Sequence, residues 1–273
     1  DSLGDFYKTT NGGKTWSPAV ATGLSSFSSM ALSPDYDDDS TILAGGDGGE
    51  VCLSTDDGET WQALAGTGLT KFTVVTFAPN YADNKTVYAA AYGAGAKAGV
   101  MRFVVGTSTT WERIDDTSPA RIEEVSASTS ARVRGMVTSD DGNGLSTLYV
   151  TDPNPVVPRQ IGTIAAEGGV ARCLNPIGTL SPATEAPVFE IVNTDLSAGV
   201  RLSGLWHAQG THTLWSIDTA STPMVLYTYE DTLTLSLELA SPDNGACSGR
   251  QTSGEVSWNS ITSASSYNLW YDT

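Results

Sequence analysis

The chain has 273 residues and a mass of 28.5 kDa, and its 40% hydrophobic and 8% aromatic content supports a packed core rather than disorder. Asp plus Glu number 31 against 14 Lys plus Arg, giving a net charge of −17 and a pI near 4.2, which argues against nucleic-acid or anionic-membrane partners held by bulk charge. Only 16% of residues are charged and 28 are Gly, with Ser, Thr and Ala abundant, so turns outnumber exposed helices and the chain reads as all-β.

In chain order, the first patterned segment is Asp5-Phe6-Tyr7-Lys8. Because the sequence enters it at once from Asp1, the chain is expected to be a piece of something longer. Next comes the turn Thr9-Thr10-Asn11-Gly12-Gly13-Lys14-Thr15-Trp16, which returns at an offset of 45 as Ser54-Thr55-Asp56-Asp57-Gly58-Glu59-Thr60-Trp61. Leu32-Ser33-Pro34-Asp35-Tyr36 returns at the same offset as Phe77-Ala78-Pro79-Asn80-Tyr81. Two separate segments share one period, and a period of about 40–50 residues is that of a propeller blade.

Second strands of such blades are predicted at 41–44, 86–89, 147–150 and 213–216, third strands at 49–53, 99–103, 169–174 and 224–228, and fourth strands at 61–64, 111–114 and 189–192. These short β-branched and aromatic runs are punctuated by Gly, Asp, Asn, Ser and Pro, as antiparallel meanders are. The sum is two strands of a first blade, then blades at about 27–66, 71–115, 131–193 and 199–240, the third with a Pro-containing insert near 175–187. The fold class expected is therefore all-β, a partial β-propeller of four-stranded antiparallel blades. No run approaches the roughly 18 apolar residues that cross a bilayer. Cys52, Cys173 and Cys247 lie far apart with no CxxC pair and read as buried thiols.

Residues 54–61 fit the pattern S/T-x-D-x-G-x-T-W and so resemble the Asp-box, or BNR repeat, of sialidases, sortilin-type receptors, a photosystem assembly factor, xyloglucan-degrading propellers and bacterial surface proteins. In this reading Ser54, Asp56, Gly58, Thr60 and Trp61 form a turn staple, with Asp56 accepting N–H groups of its own turn and Gly58 taking an unusual backbone angle. Thr9, Asn11, Gly13, Thr15 and Trp16 form a copy with Asn in place of Asp, and of a third copy only Thr110 and Trp111 survive. The resemblance implies structure, not catalysis, for these residues, with Trp16, Trp61 and Trp111 packing their blades. Residues 1–240 are thus expected to be propeller blades. Residues 241–273, with Trp258 and Tyr267, resemble the opening of a fibronectin type III domain, whose sandwich needs roughly 90–100 residues.

Candidate chemistry is sparse. Arg102, Arg134 and Arg201 come from different blades, but no flanking pattern marks them as a carboxylate-binding triad of sialidase type. Nothing singles out a pair among the acidic residues for glycoside hydrolysis. His207 and His212 could face each other across a hairpin. Asp35, Asp37, Asp38 and Asp39 form the densest acidic cluster, open to Ca²⁺ or to a solvated loop. Asn84-Lys85-Thr86 is a glycosylation sequon, and Trp206, Trp215 and Trp270 are the glycan-contact candidates.

The function expected is an extracellular structural or adhesive protein, a section of a bacterial surface layer, filament or adhesin. It would work without catalysis or a required cofactor and would associate with itself or with other surface proteins. The rivals are a secreted glycoside hydrolase or carbohydrate-binding propeller, and a sortilin-like or assembly-factor-like protein-binding propeller.

Overall fold

The computed structural model describes residues 4–94, 99–115, 130–140, 146–151, 169–178, 186–193, 200, 202–207 and 213–231. The chain divides into two compact units, Asp1–Asp231 and Thr232–Thr273. The second unit, and with it the fibronectin-like segment and Trp270, lies outside the described residues.

The first unit is built from successive antiparallel meanders. A short hairpin pairs β1 (Asp5–Phe6) with β2 (Val20–Ala21) across the turn at 9–16. A four-stranded sheet follows, β3 (Phe27–Leu32), β4 (Ile42–Gly46), β5 (Val51–Ser54) and β6 (Gln62–Ala63), paired in sequence order. The second sheet repeats it with β7 (Phe72–Phe77), β8 (Thr86–Ala94), β9 (Val100–Val104) and β10 (Glu112–Arg113). β11 (Ser130–Arg132) pairs with the far end of β8, so it belongs to the second sheet, where the sequence pattern had begun the third blade at 131. β8 runs on past the end of its pairing with β9, and that surplus length gives β11 an edge.

The third sheet is β12 (Met136–Asp140), β13 (Ser146–Thr151), β14 (Val170–Cys173) and β15 (Phe189–Asn193). The last has three strands among the described residues, β16 (Leu202–His207), β17 (Thr213–Asp218) and β18 (Val225–Glu230). This is an all-β partial propeller. The loops after β3 and β7 each wind a single helical turn, α1 (Tyr36–Asp39) and α2 (Tyr81–Asn84), closed by left-handed Ser40 and Lys85. Four residues are too few to show a helical period, so neither turn is legible in the sequence.

The first strands of neighbouring sheets lie side by side and share hydrogen bonds. Ser28 Oγ accepts from Thr73 N at 2.9 Å and donates to Thr73 O at 2.7 Å, while Ser29 Oγ accepts from Val75 N at 3.0 Å. Thr138 Oγ1 of β12 donates to Phe77 O at 2.7 Å, and Gly204 N of β16 donates to Arg134 O at 3.1 Å. Hydroxyls thus satisfy strand backbone that has no ladder partner on that side. The approach is close: a Cβ on Gly45 would stand 2.5 Å from Thr73 O.

Between sheets lie the apolar clusters. Leu43 and Leu53 meet Val75, Phe77 and Val87; Val74, Tyr88 and Ala90 meet Met136, Leu148 and Val150; Tyr149 and Val170 meet Leu202 and Leu214. Alternate residues of each second strand therefore face the preceding and the following sheet, as the period of two requires.

Candidate functional site

The two complete turns show how residue type sets local geometry. At 54–61, Ser54 Oγ accepts from Gly58 N at 2.9 Å and donates to Asp56 Oδ1 at 2.8 Å. Asp56 Oδ1 also accepts from Thr60 N at 2.8 Å, and its Oδ2 from Thr60 Oγ1 at 2.6 Å. At 9–16 the same positions serve: Thr9 Oγ1 accepts from Gly13 N at 3.0 Å, and Asn11 Oδ1 from Thr15 N at 3.0 Å. Only the last bond reverses, with Asn11 Nδ2 donating to Thr15 Oγ1 at 2.8 Å. Gly13 and Gly58 have φ of +86° and +84°, which favour glycine. The donors around Asp56, Thr60 foremost, hold its carboxyl below the usual range.

Asp57 knots three segments together. Its carboxylate receives Lys8 Nζ from the hairpin and the Tyr36 hydroxyl from α1, and its backbone N–H donates to Ser40 O at 3.0 Å. Lys8, then Tyr36, lower the Asp57 pKa. The same hydroxyl bond, aided by burial, pushes Tyr36 up to about 12.

The indoles of the turns differ. Trp61 meets Phe6 edge-on at 5.3 Å between ring centroids and Phe27 at 6.4 Å. Trp111 is buried against Phe103 and donates from Nε1 to Ala65 O of the preceding sheet at 2.7 Å. Trp16 departs from the packing role expected of it, being 60% exposed. The reason is positional, since Trp61 and Trp111 lean on the element before their own sheet and Trp16 has no such neighbour among the described residues.

Trp16 borders an open trough of about 460 Å³ whose floor is β3 and whose wall is Phe6 and Tyr7. β3 is unusual there. Met30 is 53% exposed, although Val75 and Met136, which sit at the same register in the next two sheets, are 4% and 6% exposed. Leu32 is 51% exposed and its counterpart Phe77 only 2%. The opposite end of the unit carries a second bare patch, with Trp206 60% exposed and directly across from Trp215, ring centroids 6.5 Å apart. Sequence reasoning selected both tryptophans but missed Met30 and Leu32, which are apolar like their buried counterparts Val75 and Phe77 and so carry no sign of exposure.

The remaining candidates are scattered. Among the described residues no three His, Cys, Asp or Glu side chains come together as a metal-holding group. Asp39 accepts from Ser33 Oγ at 2.7 Å and Thr41 N at 2.9 Å, whereas Asp35, Asp37 and Asp38 cap and begin α1. Asn84 is half-buried, donating to Asn80 Oδ1 at 2.5 Å and accepting from Thr86 N at 2.9 Å. His207 Nε2 lies 3.3 Å from Ser139 Oγ, and His212 lies outside the described residues.

Arg102 is engaged by Glu112 and by the carbonyls of Pro176 and Gly178, both at 2.8 Å, so it has no fork left for a substrate carboxylate. Arg201 is outside the described residues. Arg172 of β14 pairs with Asp231 just beyond β18, both almost fully buried, and Tyr149 donates its hydroxyl to the same carboxylate at 2.6 Å. Cys52 and Cys173 are both buried thiols, and burial pushes Cys52 up to about 12.

No protein-family model matches the sequence and no curated protein is similar to it. Solved structures are similar in fold. An ancestral GH74 enzyme matches with a TM-score of 0.56 at 14% identity, covering 85% of this chain and 28% of its own. A GH74 enzyme from Niastella koreensis matches with a TM-score of 0.55 at 12% identity, covering 85% of this chain and 33% of its own. A candidate 6-phosphogluconolactonase from Bacteroides uniformis matches with a TM-score of 0.50 at 14% identity, covering 83% and 60%.

The chain thus spans a third or less of the GH74 enzymes. These likenesses show the fold alone. They correct one expectation, that the chain works without catalysis: the propellers it resembles are enzymes, so its architecture is no ground for setting catalysis aside.

Proposed function

We propose that the chain is a section of an extracellular structural and adhesive protein of a bacterial surface, made of Asp-box propeller blades that dock on further β modules. The observation that carries this reading is the pair of bare sheet faces, Met30 and Leu32 at one end and Trp206 at the other. Contiguous apolar side chains left open on a folded unit mark interaction surfaces. The matched hydrogen bonds at 9–16 and 54–61 support the Asp-box reading. The net charge of −17 suits exposure outside the cell. A boundary near residue 240, with a fibronectin-like module beginning beyond it, belongs to the same proposal.

The test is fractionation of the source cells with an antibody against this chain. The protein should be shaved from intact cells by protease and should pellet with sheared surface material. A discrete cytosolic protein would refute the reading. A second reading, carbohydrate engagement, draws on Trp206, whose exposed indole stands across from the half-buried Trp215 and offers an aromatic face to a sugar ring. Retardation in gels loaded with plant or bacterial polysaccharides, lost in Trp206→Ala, would support it. Product release in the same incubations would reveal hydrolysis.

A further inference from the structure

The two bare faces are the two halves of one kind of interface, as the repeat shows when each sheet is compared with the next. On the rear side of a sheet, toward its predecessor, the first strand presents Met30 and Leu32, Val75 and Phe77, or Met136 and Thr138, fixed by their opposite residues on the second strand. The second and third of these sets are covered by the sheet before them. On the front side, the second strand presents Leu43 and Gly45, Tyr88 and Ala90, Tyr149 and Thr151, or Trp215 and Ile217. Each of the first three sets is buried under the following sheet, while Ile217 and its cross-strand partner Leu226 stand exposed beside Trp206.

The rear of the first four-stranded sheet is only half bare. The hairpin β1–β2 occupies the place of the third and fourth strands of a preceding blade, since its turn at 9–16 corresponds to the turn between β5 and β6. Phe6 accordingly covers Trp61. The vacant half is the seat of a first and second strand, and in the last sheet β16 and β17 are a first and second strand with Trp206, Trp215 and Ile217 on their open side.

Resting on the reading of an assembling protein, we propose that the rear face at Met30 and Leu32 of one copy receives the front face of β16–β17 of a second copy, joining copies head to tail. Such a contact is heterologous, so it propagates as a chain or closes as a ring. It continues the interface already built between neighbouring sheets within each copy.

The test uses the 273-residue chain in sedimentation velocity up to about 100 µM. The unaltered protein should associate with rising concentration. A head variant, Met30→Glu with Leu32→Glu, and a tail variant, Leu226→Glu, change exposed side chains and should keep their circular dichroism. Each should weaken self-association at least about tenfold. Mixed together they should form a one-to-one dimer and nothing larger, because each retains the half that the other has lost.

A monomer at every concentration would overturn the proposal, as would variants that associate normally or that fail to complement each other. Surface localisation in the fractionation experiment would survive that failure, so the two readings fall separately. Polysaccharide binding that quenches tryptophan emission in a strictly monomeric protein would assign the Trp206 face to sugar instead.

Discussion

The buried pair of Arg172 and Asp231 makes the sharpest demand on the fold. Their side chains are 1% and 2% exposed, one on β14 and the other just after β18, so the pair clamps the last sheet to the third. Replacing Asp231 by Asn keeps the shape but leaves a buried guanidinium facing a neutral amide, at a cost of roughly 3–5 kcal/mol. Arg172→Met should cost a similar amount. Because both changes delete the same interaction, the double variant should be far less destabilised than the sum, with a coupling of about 2–3 kcal/mol.

Tyr149→Phe removes one hydroxyl bond to the carboxylate and should cost about 1.5–3 kcal/mol. Urea unfolding followed by tryptophan emission and by far-ultraviolet dichroism gives the values. Coincident curves show that the last sheet unfolds with the rest. If the two single changes add to within about 0.5 kcal/mol, the clamp is not a coupled unit and the reasoning fails.

Further predictions concern the hairpin, the turns and the thiols. Gly58→Ala places a Cβ 2.2 Å from Phe6 Cε1, whereas Gly13→Ala at a similar φ meets nothing closer than 3.9 Å. The first should therefore be destabilised by left-handed strain of about 1–2 kcal/mol and by an overpacking cost of about 1–3 kcal/mol, the second by the strain alone; equal melting shifts for the two variants would contradict this. Asp57 titrates below its ordinary value because Lys8 and Tyr36 donate to it. Its stabilising ties are thus present above the unfolded carboxyl value near 3.9 and are lost as pH falls through the lower folded value. Lys8→Ala should move the Asp57 carboxyl titration upward in carbon-detected NMR. Cys52, raised by burial, should resist iodoacetamide at pH 8.5 until denaturant is added, and rapid labelling of the native chain would show that its site opens.

Much of the architecture was readable in the residues because the repeat supplies its own alignment. The second strands expected at 41–44 and 147–150 stand as β4 and β13, displaced by a residue or two at their ends. The first strands were harder. β3 reads Phe-Ser-Ser-Met-Ala-Leu, and its two serines serve a neighbouring strand rather than solvent, which blurs the alternation. The open faces were invisible for a different reason. Met30 and Val75 are equally apolar, and only the presence or absence of a covering sheet makes one a surface residue and the other core. Arg102 was picked out by its type, yet besides Glu112 its acceptors lie 74 and 76 residues further on, and the acceptor of Arg172 lies 59 residues on, beyond any local pattern.

That forward reach has a consequence for synthesis. Arg102 has Glu112 in its own sheet but also takes the carbonyls of Pro176 and Gly178, and Arg172 needs the carboxylate of Asp231, so the second and third sheets emerge from the ribosome with cations whose remaining acceptors are still to be translated. These two sheets are each latched by their successor, which gives that part of the chain a direction of closure from N-terminus to C-terminus. A nascent chain halted before Pro176 would hold an unlatched second sheet, and that waiting interval is when chaperone binding should be strongest.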